Sequence, residues 1–178
     1  MSLTAPAGED AYHFGPFEIA RSESFAKSQL SFAFVNLKPI VPGHVLVSPQ
    51  RVARRFGDLN PAEIGDLWAL AAKVGLAVES HFQADSLTFA IQDGPAAGQS
   101  VPHVHIHILP RRVGDFERND QVYDAIEASS KEEAADRQGK KLHLDAERKS
   151  PPSDVLQLCR PASQPDCQTA VPAGGMAR

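Results

Sequence analysis

Three histidines at alternate positions, His103, His105 and His107, are the residues whose type and spacing in this chain could do chemistry. They are interleaved with Val104, Ile106 and Ile108. In an extended backbone successive side chains point to opposite faces, so the imidazoles would share one face, neighbours roughly 7 Å apart, and the aliphatics the other. The aliphatic face can enter a core while the imidazoles line a cleft. An imidazole is nucleophilic and still changes its proton near neutral pH, which suits it to attack on phosphorus. Two other readings stand beside that one. The histidines could be hydrogen-bonded polar residues of a sheet, although three of the chain's 7 histidines within five positions is an uncommon arrangement. They could also ligate zinc with His44 as a further ligand, but a catalytic zinc site keeps three protein ligands and an open position. No cysteine or acidic cluster stands near the histidines to complete such a set.

Phosphate chemistry also needs donors for negative oxygens. Gln92 and Gln99 offer neutral amides, and Gly98, Gln99, Ser100 and Val101 can present backbone N–H groups and a hydroxyl. Glycine and glutamine in a loop also serve plain turns.

The elements that must hold these residues are legible in outline. Phe- and Val-rich Leu30 to Leu37, a Pro-Gly turn, and His44 to Val47 read as strand, turn and strand. Asn60 offers an N-cap, Pro61 a first helical residue, and Glu63 the third position of a capping box, so a helix is expected from Pro61 to Phe82. Its apolar face would be Ile64, Leu67, Trp68, Ala71, Val74 and Val78. Leu87, Phe89 and Ile91 alternate with Ser86, Thr88 and Ala90 as in a half-buried strand, and the histidine strand is expected to run from His103 to Leu109.

A chain of 178 residues with 42% hydrophobic composition supports one compact core. Its net charge of -4 argues against nucleic acid or an anionic membrane surface as partner. No apolar run nears the roughly 20 residues that span a bilayer, and the N-terminus lacks a basic region followed by an apolar stretch. The sequence therefore reads as soluble and intracellular, with its two cysteines, Cys159 and Cys167, reduced. Aromatic residues stop at Tyr123, and prolines recur from Pro151 to Pro172. Such a segment buries too little apolar surface to offset the entropy of ordering it. The expected organisation is a domain over 12–128 and a mostly disordered tail over 129–178, with some helix just after Tyr123 and a loose leader before Tyr12.

The alternation of histidine and apolar residues over 103–108 resembles the signature of the histidine-triad family. Its surroundings extend the resemblance over about residues 12 to 128: Leu30 to Asn36, Pro42 to Val47, Ser86 to Phe89, Gln92 to Pro95, Gly98 to Val101, Leu109 to Arg111, Gly114 to Phe116 and Arg118 to Asp120. Together they look like the fragile-histidine-triad branch, the diadenosine triphosphate hydrolases. The resemblance implies an α+β fold with about five antiparallel strands, one long helix and a shorter C-terminal helix, in a homodimer joined sheet edge to sheet edge. It implies a dinucleoside polyphosphate substrate cleaved to AMP and ADP, with His105 forming a covalent AMP intermediate. His103 and His107 would orient that imidazole and donate to phosphoryl oxygens, and His44 would support them. Gln92, Gly98, Gln99, Ser100, Val101 and His107 would hold the phosphates, Asn36 the ribose, and Phe14, Ile19 and Leu46 the adenine. A divalent cation, magnesium or manganese, would ride on the substrate phosphates without a protein cage. The setting would be cytoplasmic, with the nucleus also open to it.

Two alternatives remain at this point: a slowly turning over nucleotide-binding signalling module, and a phosphoramidase or nucleotidyl transferase of a sister branch. Tyr123 matches a tyrosine the family uses in signalling, while from sequence alone it is the last aromatic and would pack on the core. Pro16 and Phe17 depart from the polar residues of the family's first strand. Ser100 keeps the hydroxyl of the usual threonine, Pro102 lacks a backbone donor, and the proline-studded tail replaces an alanine-rich acidic helix.

Overall fold

The computed structural model describes residues 11–139. The expected disordered tail falls mainly on 140–178, outside the described residues, as do both cysteines. A hairpin comes first, β1 (Ala11–Phe14) with β2 (Phe17–Ala20), followed by β3 (Ser24–Lys27), β4 (Ser31–Val35), β5 (Val45–Pro49), α1 (Pro61–His81), β6 (Ser86–Ala90), β7 (Ile106–Arg111) and α2 (Gln121–Gly139). Strands β3 to β7 form one sheet in the order β3-β4-β5-β7-β6, every neighbour antiparallel. The α+β architecture of five antiparallel strands and two helices is as expected. Among the described residues no helix is long and apolar enough to cross a membrane.

Strand alternation divides the core. Ala33, Val45, Val47, Ile106 and Ile108 bury themselves with Leu67, Leu70, Ala71, Val74 and Val78 of α1. On the opposite face Phe32, Phe34 and Leu46 pack with Tyr12, Phe14 and Ile19 from the hairpin. Tyr12 stacks on Phe32 at 4.4 Å, and Phe14 meets Phe34 edge-on at 5.0 Å. The hairpin therefore lies over the sheet face that α1 leaves free.

Helix α1 starts where its capping box requires. Asn60 accepts from the Glu63 amide, and the Glu63 carboxylate accepts from the Asn60 amide. Arg51 then grips Glu63 with two bonds of 2.7 Å, which holds the carboxyl down to about 2. Trp68 does not join the buried face as expected and remains 40% exposed. The inward positions are Leu67, Leu70, Ala71, Val74, Ala77 and Val78, and Trp68 sits one residue, about 100°, off that stripe.

Helix α2 runs well past Tyr123. It continues through the first eleven residues of the stretch expected as tail, and Ser129, Ser130 and Glu133 are buried on it. Tyr123 itself is 55% exposed, and Val122 and Ile126 do the packing expected of it.

Candidate active site

The site begins with a turn. Gly43 has φ +82°, and a Cβ there would lie 2.5 Å from the Phe82 ring and 2.9 Å from Pro110 Cγ, so only glycine fits. The turn closes with the His44 amide donating to the Val41 carbonyl at 3.2 Å, and β5 follows at once. In β5, Leu46 pairs with His107 of β7, which sets the His107 imidazole on the hairpin face of the sheet.

His103 and His105 do not lie in the strand, contrary to expectation: β7 starts at Ile106. The cause is local. The Val104 amide donates to the Ala53 carbonyl at 2.7 Å and Ser48 Oγ donates to the Val104 carbonyl at 2.8 Å, so both backbone groups are taken outside the ladder. The result brings the rings closer than a strand would. His105 and His107 centroids are 4.9 Å apart, and Phe14 touches both His105, at 5.1 Å, and His103, at 5.9 Å.

Fixed backbone partners decide which ring nitrogens carry protons. The Gly15 amide donates to Nδ1 of His103 at 3.0 Å, so the proton of His103 is on Nε2. His105 Nδ1–H donates to the His103 carbonyl at 2.7 Å, which leaves a lone pair on Nε2. The Ile40 amide reaches Nδ1 of His44 at 3.4 Å, and Nε2 of His44 shares a hydrogen bond with Nδ1 of His107 at 3.0 Å while Asn36 Nδ2 lies 3.1 Å from the same Nε2. The lone-pair nitrogen of His105 thus belongs to a ring packed against His107, 4.9 Å away between centroids, and against Phe14 at 5.1 Å.

Burial keeps all four rings neutral. Desolvation lowers His44 to about 3, with a smaller push from His105. It lowers His103 to about 4, assisted by His105 and opposed by the backbones of Arg51 and Pro49. His105 and His107 are lowered as well, burial being the main cause for both. At neutral pH the lone pair of His105 is therefore available for attack.

Six buried side-chain polar atoms among the described residues have no partner, and four are on residues expected in the site: Nε2 of His103, Nε2 of His107, Oε1 of Gln92 and Oγ of Ser100. Buried polar atoms in a folded protein ordinarily find partners, so such atoms are candidates to contact a polar ligand. Asn36 is buried against His44, its Nδ2 at 3.1 Å from the ring and its Oδ1 accepting from Lys38 N–H. Phe14, Ile19, Leu46 and Val101 form one buried apolar cluster beside the imidazoles. Gly98, at φ +86°, lets Gln92 Nε2 approach to 2.6 Å of where its Cβ would be.

The Gln99 amide also braces the loop: its Oε1 accepts from the Gly94 amide and one N–H of its Nε2 donates to the Arg54 carbonyl, which leaves the second N–H for another acceptor. Two positioning residues went unread in the sequence, Gly15 and Ser48. Both act across long stretches of chain, the Gly15 amide on His103 Nδ1 and the Ser48 hydroxyl on the Val104 carbonyl, and a Gly-Pro turn or a strand serine gives no pattern that announces such a partner.

An antiparallel sheet that presents a close-set histidine run on the face opposite its long helix defines the class, a histidine-triad fold. The HIT domain family model matches residues 19–114, and the chain belongs to that family. It is 54% identical over 138 residues to the bifunctional bis(5'-adenosyl)-triphosphatase/adenylylsulfatase FHIT of Arabidopsis thaliana, spanning 78% of this chain and 74% of that protein. It is 56% identical over 115 residues to the bis(5'-adenosyl)-triphosphatase of Dictyostelium discoideum, spanning 65% and 77%. Among solved structures, the C. elegans NitFhit protein superposes with a TM-score of 0.59 at 45% identity, covering 73% of this chain and 31% of that one. Plasmodium falciparum diadenosine triphosphate hydrolase in complex with cyclomarin A superposes with a TM-score of 0.58 at 35% identity, covering 69% and 84%.

Proposed function

We propose that the protein hydrolyses dinucleoside polyphosphates, diadenosine triphosphate among them, to AMP and ADP through a nucleotide covalently held on His105. One observation carries the reading: His105 Nε2 keeps its lone pair beside the His107 ring, while Nε2 of His103 and Nε2 of His107 are buried without partners. Names borne by relatives at 54% and 56% identity support the substrate class. In the first step the His105 lone pair forms a bond to the α-phosphorus, the bond from phosphorus to the bridging oxygen breaks, and ADP leaves with that electron pair. Water then attacks the phosphorus, the phosphorus–nitrogen bond breaks, and AMP leaves with the water oxygen while a proton is released. Dividing one displacement into two lowers each barrier. His103 and His107 act as hydrogen-bond donors to the charge that builds on phosphoryl oxygens. Gln92 and Ser100 would hold the neighbouring phosphates, and Phe14, Ile19 and Leu46 would face the base. The hydrogen bonds of the imidazoles go to Gly15, Asn36, Ile40 and one another and to no carboxylate, so a magnesium or manganese ion would ride on the substrate phosphates.

The test is chemical trapping. Reaction with radiolabelled substrate, quenched in alkali, is expected to leave label on His105 that acid removes, and reaction in 18O-water to put the heavy oxygen in AMP alone. Label on another residue, or heavy oxygen in ADP, defeats the reading.

We further propose a homodimer. Strand β6 is an edge of the sheet, and Trp68 and Phe89 beside it are 40% and 37% exposed with their rings 6.2 Å apart. An apolar patch at an open strand edge is a surface that association would cover. Light scattering is expected to give twice the chain mass for the wild type and a monomer for Phe89→Arg; a monomeric wild type would dispose of the proposal.

A further inference from the structure

Helix α2 runs along the loop from Gly98 to Val101, and two contacts fix where. At one side Glu127 Cγ comes within 3.2 Å of where a Cβ on Gly98 would be, a point that also lies 2.6 Å from Gln92 Nε2. At the other, Ala134 packs on the buried cluster that contains Val101 and Phe14. Residues three and four apart on a helix are neighbours on one face, so Ser130, three after Glu127 and four before Ala134, stands between those contacts. It shares their side of the helix. The stretch of loop that the two contacts bracket includes Ser100.

Ser130 is 4% exposed, and its Oγ is buried without a partner among the described residues. Its neighbours on α2 are in a different state. Ser129 Oγ donates to the Lys38 carbonyl at 2.6 Å, and the carboxylates of Glu127 and Glu133 are paired with Lys131 at 2.6 Å and Arg137 at 2.8 Å. A serine inside a helix can return its hydroxyl to a carbonyl of the preceding turn, and Ser130 makes no such bond. A buried hydroxyl left unbonded costs stability, so a residue that served packing alone would do better as alanine. Ser100 Oγ, on the bracketed loop, is buried and unpartnered in the same way. Two hydroxyls, one from the helix and one from the loop it runs along, thus lack an acceptor, and the ionised oxygens of a phosphate chain are acceptors only.

We propose that Ser130 is a substrate-binding residue, its hydroxyl donating, together with that of Ser100, to oxygens of the polyphosphate chain. The identity of the ligand rests on the nucleotide hydrolysis proposed above. The test reads affinity and stability in one variant of the full chain. Ser130→Ala is expected to melt at or above the wild-type temperature, because it loses no hydrogen bond, while its Kd for ADP rises about tenfold, the scale of one hydroxyl donating to a charged oxygen. Its Kd for adenosine, which carries no phosphate, should stay within about twofold, since no donor to the nucleoside is removed. An ADP affinity equal to that of the wild type overturns the assignment and leaves the nucleotide reading standing. Equal weakening of ADP and adenosine would make Ser130 a part of the packing, and overturns it too. A wild type that does not bind ADP removes the assignment and the nucleotide reading together.

Discussion

His105→Ala is expected to lower kcat for diadenosine triphosphate by ~10⁴-fold or more while leaving Kd within about threefold. The reasoning starts from the lone pair. In the wild type the His103 carbonyl takes the Nδ1 proton, so Nε2 is permanently set for attack and needs no preliminary proton transfer. Alanine removes that nitrogen, and the groups that remain can then stabilise only a direct attack by water. Substrate affinity has other sources: the Phe14, Ile19 and Leu46 wall and the partnerless Gln92 and Ser100 atoms are untouched. His103→Ala and His107→Ala should each retain the covalent route and lose about 10²-fold, the scale of one donor to a developing charge. The ordering is the discriminating result. If His107→Ala were as inactive as His105→Ala and left label on His105, His107 would be doing more than donating. If His105→Ala kept near-normal turnover, the nucleophile would be elsewhere. A variant that binds without cleaving would also separate the enzyme from a signalling module, since any output carried by the complex alone would survive in it.

The imidazoles were legible in the sequence because their pattern is a consequence of backbone geometry. Alternation with aliphatics told which residues would share a face, and Leu46 opposite His107 is that alternation realised across two strands. Helix α1 was legible at its start because Asn60, Pro61 and Glu63 satisfy the first free amides by chemistry confined to four residues. What failed involved partners distant in the chain. Nothing near Val104 announces that Ser48 and Ala53 will take its backbone groups and end the strand early. The extent of α2 escaped for a related reason. Its second half has little apolar residue of its own and is ordered by Lys38, Phe14 and Phe17, all more than a hundred residues earlier or nearly so. A tail judged by composition alone cannot reveal that its contacts are with the site.

Acidification is expected to unfold this protein earlier than its carboxylates would require. In an unfolded chain each histidine takes a proton near 6.5, whereas the fold holds His44 at about 3 and His103 at about 4. Between those values the unfolded chain binds protons that the native chain refuses. Stability is then complete above about 6.5 and falls as the pH drops through the window to 3 or 4. Each such imidazole costs on the order of 1.4 kcal/mol per pH unit inside the window. His105 and His107, lowered in the same direction, add to the slope. Against a whole fold worth roughly 5–15 kcal/mol, that slope is large enough to destabilise the native state well before the carboxylates titrate. Glu63, held at about 2 by Arg51, supplies stability that disappears only below the ordinary carboxylate range, so it cannot account for a loss beginning near 6. Thermal melts from pH 7.5 to 4 should show Tm falling from about 6.5 downward, and His44→Asn, which removes one of the titrating rings, should flatten the fall. A Tm constant between pH 7 and 5 would mean that the imidazoles take up protons in the native state as readily as in the unfolded chain, and that their burial does not hold them neutral.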